Sequence, residues 1–316
     1  MGRESTALQD RSAGSAATTA AARLLSWLDR RLGYILLAPS LLLLLALTSY
    51  PTLFSLINSL RDLTSFNFRS GKAPFVGLTN YARILQDPNF WWSAWVSLIF
   101  VFATVLLTFL IALSLALAIE RDQVLQRILS PILLLPLMAT PAVVGLIWNV
   151  LLATDHGVIN YLMEMAGLPQ IDWLTNSQWA LVTIVLVDVW QHVPFMFFAL
   201  LAGLSVMSSE PTEAAKIDGA NWWQLQRYIT IPLLAPIILV VVLFRMIGAL
   251  NTFDMIYILT QGGPGTATQT LSIFLYHMAF RVKHMGMAAA LSILMLAIVG
   301  TLTFILIRRL YRTSHD

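Results

Sequence analysis

An all-α membrane protein of six transmembrane helices is the fold class this sequence predicts, and three observations predict it. Of its 316 residues, 58% are hydrophobic and 11% charged, with a mean hydropathy of +0.76, more apolar surface than a water-soluble domain of this length needs for its core. Six runs, 33–60, 92–119, 128–153, 179–207, 233–259 and 285–307, reach the roughly 20 residues that a helix needs to cross a hydrocarbon core of about 30 Å. Runs such as 41–47 are apolar on every side rather than alternating, which excludes an outer-membrane barrel.

Taken in order, residues 1–31 are rich in Ser, Ala and Thr and read as a disordered cytoplasmic tail, too polar to bury anything. The first run is too long for the apolar core of a signal peptide and reads as a retained helix, with kinks expected at Pro39 and Pro51. Residues 61–90 carry Gly71, Pro74, Gly77 and Pro88 and read as loop, with a short surface helix over 80–85. Glu120, Arg121 and Asp122 mark the next turn. The third run contains Pro131, Pro136 and Pro141; lipid tolerates such breaks only where neighbours or water re-satisfy the freed backbone groups, so this helix is expected in the bundle or along a cavity. One membrane domain, 32–312, and a short tail, 313–316, complete the chain. With no cysteine present, neither a disulfide nor a thiolate metal site can form.

Orientation follows from the basic residues. A cytoplasmic N-terminus places Arg3, Arg11, Arg23, Arg30, Arg31, Arg121, Arg127, Lys216, Arg227, Arg308, Arg309 and Arg312 inside, and Arg61, Arg69, Lys72, Arg83, Arg281 and Lys283 outside. Both ends are therefore expected in the cytoplasm. The polar loop 208–232 then faces the cytoplasm too.

That loop reads Glu213-Ala214-Ala215-Lys216-Ile217-Asp218-Gly219-Ala220, followed by Ile229-Thr230-Ile231-Pro232. Pro211 suits a first helical turn, Glu213 sits well near the positive end, and Gly219 can stop the helix in a left-handed conformation. A helix, a turn and a second short helix are expected. The segment resembles the Glu-Ala-Ala loop of ABC importer permeases: the triplet, the glycine four residues beyond the second alanine, and the hydrophobic-proline pair are all present. Many members of that family carry an aromatic residue where this chain has Gln226, and Trp222 and Trp223 are expected to supply the packing instead. Further stretches, 75–81, 253–264 and 286–292, are similar to the carbohydrate branch that contains maltose and glycerol-3-phosphate permeases.

The resemblance implies a type I ABC importer permease fold, one half of a pore for a sugar or sugar-like solute. It implies as partners a second related permease subunit, an ABC ATPase dimer, an extracytoplasmic solute-binding protein and membrane lipid; nucleic acid has no part. Glu213, Ala214, Ala215, Asp218 and Gly219 would couple the chain to the ATPase. No Gly-x-x-x-x-Gly-Lys-Ser/Thr loop occurs in the sequence, and 262–265 reads as a turn, so the ATPase partner would bind ATP and Mg, and this chain would be neither an enzyme nor a cofactor carrier.

Charges inside the spans point to the pathway, because each costs about 2.5–3.5 kcal/mol near a helix centre unless paired or wetted. Asp188 and Arg245 qualify, either as solute contacts or as a pair that locks two helices, and both readings put them in the bundle interior. In the family resemblance, 188–195 and 245–249 fall on stretches that line the sugar site of the maltose permease, which makes Asp188, Gln191, His192, Phe195, Arg245 and Ala249 the candidate solute-binding residues. Trp148 and Asn149 rank behind them, and Asp254 reads as a water-exposed structural residue. Two other classes stay open: an ion-gradient-driven secondary transporter of a small polar solute, which should show a repeat with matching broken helices, and a membrane scaffold, which would need neither charge.

Overall fold

The computed structural model describes Tyr34 and residues 36–68, 73–120 and 122–313. The expected tail 1–31, Arg121 and residues 314–316 lie outside the described residues. Two units are distinguished, 1–57 and 58–316. The helix α1, Leu36–Ser59, lies in the first unit except for its last two residues; it is a continuous 24-residue helix that runs through both Pro39 and Pro51 and is long and apolar enough to cross a membrane.

Among the described residues of the second unit the regular structure is helical, joined by turns and loops, apart from one isolated bridge between Arg61 and Phe75. Short helices α2 (Ser65–Phe68) and α3 (Thr79–Gln86) precede the long α4 (Pro88–Ile119). The helix expected over 80–85 is α3, and it is more than a surface element, since Asn80 and Ile84 are fully buried. Asp87 caps α4, its Oδ1 accepting the Asn89 N–H at 2.8 Å while Pro88 fills the first helical position.

Along α4 the buried face carries Ser93, Ser97, Thr104, Thr108, Ala112 and Ala116, small residues mostly four apart. In lipid, helices gain little by hiding apolar surface from one another, so close backbone approach and interhelical hydrogen bonds hold them together. The most extensive helix pair of the described residues is accordingly α4 with α8, Ser177–Val206. Gly203 lets α8 approach α11 (Ile231–Leu250) in the same way: a Cβ there would lie 2.8 Å from Ile237 Cδ1 and 2.9 Å from Leu234 Cδ1.

The third run is corrected from one helix to two. α5 (Gln123–Met138) and α6 (Pro141–Leu151) meet at 98° across extended Ala139 and Thr140. Pro141 cannot donate to the preceding turn and drives Thr140 out of the helical region. Thr140, at φ −68° and ψ 149°, then caps α6 by accepting the Val143 N–H at 3.4 Å. The fifth run is corrected at both ends, since a continuous apolar helix spans Trp222–Leu250 and the chain breaks before α12, Asp254–Thr260. Asn251 Nδ2 and Thr252 Oγ1 donate back to the Ile247 and Gly248 carbonyls at 2.9 and 3.1 Å, competing with continuation of the helix.

After α6, the helix α7 (Val158–Met165) leads to α8; the buried Asn160 secures this connection by accepting Trp173 Nε1 at 3.0 Å and donating to the Ile171 carbonyl at 3.0 Å. α13 (Leu271–Tyr276) and α14 (Met285–Thr313) close the bundle. The start of α14 is tied to the segment after α1 by the Gly286 N–H, which donates to the Leu63 carbonyl at 2.7 Å; α3 is held beside it by Asn80 Nδ2, which donates to the Ser59 and Arg61 carbonyls at 2.8 and 2.9 Å.

Candidate functional site

Four of the six candidate residues lie on α8 and two on α11, and packing of these helices brings most of them together. Asp188 is completely buried and Arg245 is 2% exposed. The Arg245 guanidinium donates through Nη2 to Asp188 Oδ2. A net charge near zero is what allows both groups to sit inside an apolar bundle, because either alone would carry an unrepaid desolvation cost.

One turn along α8, His192 Nδ1 lies 2.9 Å from the Asp188 carbonyl oxygen and 3.4 Å from Asp188 Oδ1. A carbonyl only accepts, so this contact is a hydrogen bond when the imidazole carries its proton on Nδ1. Gln191, 5% exposed, points at the broken third span and donates Nε2 to the Ala139 carbonyl at 3.2 Å. The freed backbone at the break is thus partly satisfied from α8. Ala249 is buried one turn beyond Arg245, whereas Phe195 remains 40% exposed and is the candidate least involved in this cluster.

The cluster keeps unused hydrogen-bonding capacity. Arg245 Nε and Nη1, Gln191 Oε1, Asp188 Oδ1 and Trp148 Nε1 are buried with no hydrogen-bond partner among the described residues. Donors and acceptors of this kind suit hydroxyl groups, which do both. Trp148 on α6 and Trp190 on α8 meet edge to face with centroids 5.5 Å apart. Trp190, 42% exposed, was not among the sequence candidates, although its helical register beside Gln191 could have marked it; Asn149 is half-buried and Asp254 exposed, as expected of a structural residue.

At one end of α8 and α11 stands the Glu-Ala-Ala segment. α9 (Glu210–Ile217) has Glu210 and Glu213 in its first turn, Lys216 in its last, and no buried residue. It ends as the sequence predicts: Gly219 takes φ +84°, its N–H donates to the Lys216 carbonyl at 3.1 Å, and the Ala220 N–H reaches the Ala215 carbonyl at 2.9 Å, a Schellman ending. Asn221 and Gln224 form a reciprocal capping box, at 2.9 and 2.8 Å, that starts α10 (Trp222–Leu225). A π-helical turn, Gln226–Thr230, leads directly into α11, where Pro232 leaves the helical ladder one donor short.

Glu213, Ala214, Asp218 and Gly219 are exposed and Ala215 half-buried. The packing expectation for this loop needs correcting. Gln226 itself is buried, while Trp222 and Trp223 are 48% and 76% exposed and contact each other edge to face at 4.7 Å. Gln226 sits on the inward face of the turn and the two tryptophans start α10 on its outer side, so they do not replace the missing aromatic.

Comparison with known proteins agrees with this architecture. Residues 109–314 match the family model described as binding-protein-dependent transport system inner membrane component. The trehalose/maltose transport system permease protein MalF of Thermococcus litoralis is 34% identical over 285 residues, covering 90% of this chain and 95% of that one. The sulfoquinovosyl glycerol transport system permease protein SmoG of Agrobacterium fabrum is 34% identical over 288 residues, covering 89% and 92%. In fold, the chain is similar to one in the crystal structure of a bacterial ABC transporter involved in the import of the acidic polysaccharide alginate, with a TM-score of 0.78, 22% identity, and coverage of 92% and 99%. The chain belongs to the family of binding-protein-dependent transport system inner membrane components and is a multi-pass permease.

Proposed function

We propose that this chain is one half of the pathway of an ATP-driven importer for a saccharide or saccharide-like solute, paired with a second permease and served by a solute-binding protein on the outer face. Both termini and the 208–232 loop face the cytoplasm, a reading supported by the distribution of Arg and Lys. ATP and Mg are bound by a separate ATPase dimer.

The observation that carries the ATP-driven reading is α9, a helix closed by a Schellman ending that has no fully buried residue and bridges the two helices bearing the Asp188–Arg245 pair. A short helix with Ala214 exposed and Ala215 half-buried can enter a groove of the ATPase closely. Movement of that groove then reaches α8 and α11 together, since the buried ion pair ties them within the bundle. Glu213, Ala214, Ala215, Asp218 and Gly219 form this coupling surface. Asp188, Gln191, His192, Phe195, Arg245 and Ala249 form the solute path, with the unpaired nitrogens of Arg245 and Gln191 Oε1 meeting solute hydroxyls.

The saccharide reading draws on relatives whose names specify trehalose/maltose and sulfoquinovosyl glycerol. Uptake by a deletion strain, compared with its parent across labelled sugars, polyols, sugar phosphates and amino acids, tests it. Loss confined to one saccharide-like solute is expected. Loss confined to an amino acid or an inorganic ion would contradict the reading.

A further inference from the structure

We infer that a second solute-contacting site, apart from the Asp188–Arg245 cluster, lies between the end of α11, α13 and the stretch of α14 from Ser292 to Val299, and that it takes a sugar ring. The inference rests on the saccharide reading above. A cavity of about 470 Å³ is lined there by Asn251, Phe253, Ser272, Tyr276, Phe280 and Ser292, together with aliphatic side chains that come mainly from α14. That volume falls in the range of about 300–1,000 Å³ typical of small-molecule pockets.

Its aromatic side is a connected series of rings. Tyr257 and Phe253 stack with centroids 5.3 Å apart, Phe253 meets Tyr276 at 5.1 Å, and Tyr276 meets Phe280 at 5.0 Å. The series begins at the core, because Phe253 and Tyr257 pack against the cluster that contains Ala249, and ends at Phe280, which is 63% exposed. Asn251 follows Arg245 by six residues, about 9 Å along the helix axis. The rings therefore start just beyond the end of the helix that carries Arg245 and lead from there to the exposed Phe280.

The polar groups select the ligand class. Asn251 Nδ2 is used on the Ile247 carbonyl at 2.9 Å, Ser272 Oγ donates to the Leu250 carbonyl at 3.1 Å, and Ser292 Oγ donates to the Ala289 carbonyl at 2.9 Å. With both serine protons and one of the two Asn251 N–H groups used on backbone carbonyls, the three side chains offer the cavity acceptor oxygens, beside one remaining Asn251 N–H. A ligand that suits them has an apolar C–H face for the rings and several O–H donors at its edge, which describes a pyranose. An acyl chain would use the rings and leave the acceptors idle.

The test uses the complete importer in cells whose uptake of one saccharide depends on this permease. Tyr276→Ala is expected to raise the apparent KM for that saccharide about three- to tenfold, the loss of one ring contact, with maximal rate and membrane level unchanged. Tyr276→Trp keeps KM near the wild-type value. Should Tyr276→Ala lower the membrane level, Phe280→Ala at the exposed rim serves for the same comparison. Unchanged KM in the alanine variants overturns the site, as does an equal loss in Tyr276→Ala and Tyr276→Trp, which makes the ring a packing element only. Phospholipid that co-purifies with the wild type and is lost from Tyr276→Ala, with KM intact, assigns the cavity to an acyl chain. A wild-type importer that moves no saccharide is a separate result, which removes the saccharide reading and this site with it.

Discussion

Arg245→Leu is expected to destabilise the bundle by about 3–5 kcal/mol, the cost of leaving a buried carboxylate without its partner. Asp188 has no exposed surface and its Oδ2 accepts from Arg245, so removing the guanidinium forces the carboxyl to take up a proton or to draw in water. Asp188→Leu carries the converse penalty. The double variant Asp188→Leu/Arg245→Leu removes both charges and is expected to recover most of the loss, because apolar replacement of a buried pair is often neutral or stabilising. Thermal unfolding in detergent, read beside the membrane level of each variant, measures this series. Uptake separates the two roles: a recovered fold without transport identifies the pair as solute-contacting, and a recovered fold with transport identifies it as a helix lock.

Gly286→Ala should be nearly as damaging, although it adds one methyl group to a residue at the end of a helix. A Cβ at that position would lie 2.3 Å from the Arg61 carbonyl oxygen, 2.9 Å from the Leu63 nitrogen and 3.2 Å from Asn80 Nδ2. Two of these neighbours are backbone atoms, and Asn80 is itself engaged by the Ser59 and Arg61 carbonyls, so no flexible side chain can absorb the clash. The start of α14 has to withdraw, with loss of the Gly286–Leu63 hydrogen bond of 2.7 Å. Overpacking of this kind costs about 1–3 kcal/mol, and the buried hydrogen bond about another 1 kcal/mol. Hydrogen exchange over 59–67 and 284–290 reports it: faster exchange confined to those segments is expected, and unchanged exchange would contradict the geometry.

Much of this fold could be read from composition and run length, because a helix in lipid must satisfy its own backbone and so declares itself as a long apolar run. Four of the six runs correspond to continuous helices close to the bounds read from the sequence, and the two departures have local causes. Thr140-Pro141 is a cap followed by a first-position proline, a helix start that the surrounding apolar residues conceal. Asn251-Thr252 ends the fifth span through side-chain bonds to its own carbonyls, while the apolar pattern continues into α12. The pairing of Asp188 with Arg245 was legible because two opposite charges in apolar runs have few other partners. The role of Gln191 at the Ala139 break was not, since it depends on a helix bend that sequence periodicity does not encode. Nor was the ring series of Tyr257, Phe253, Tyr276 and Phe280, which joins residues from either side of a turn.

Partner recovery tests the central claim most directly. The tagged chain is purified from its native membrane, as wild type and as Glu213→Lys, and its companions are identified by mass spectrometry. Glu213 is exposed in the first turn of α9, so the substitution reverses charge at the proposed docking surface without touching the core. The account predicts an ATPase, a second permease and a solute-binding protein with the wild type, and loss of the ATPase alone from the variant. A stable chain recovered with no ATPase would contradict it and leave an ion-gradient-driven carrier as the reading to pursue.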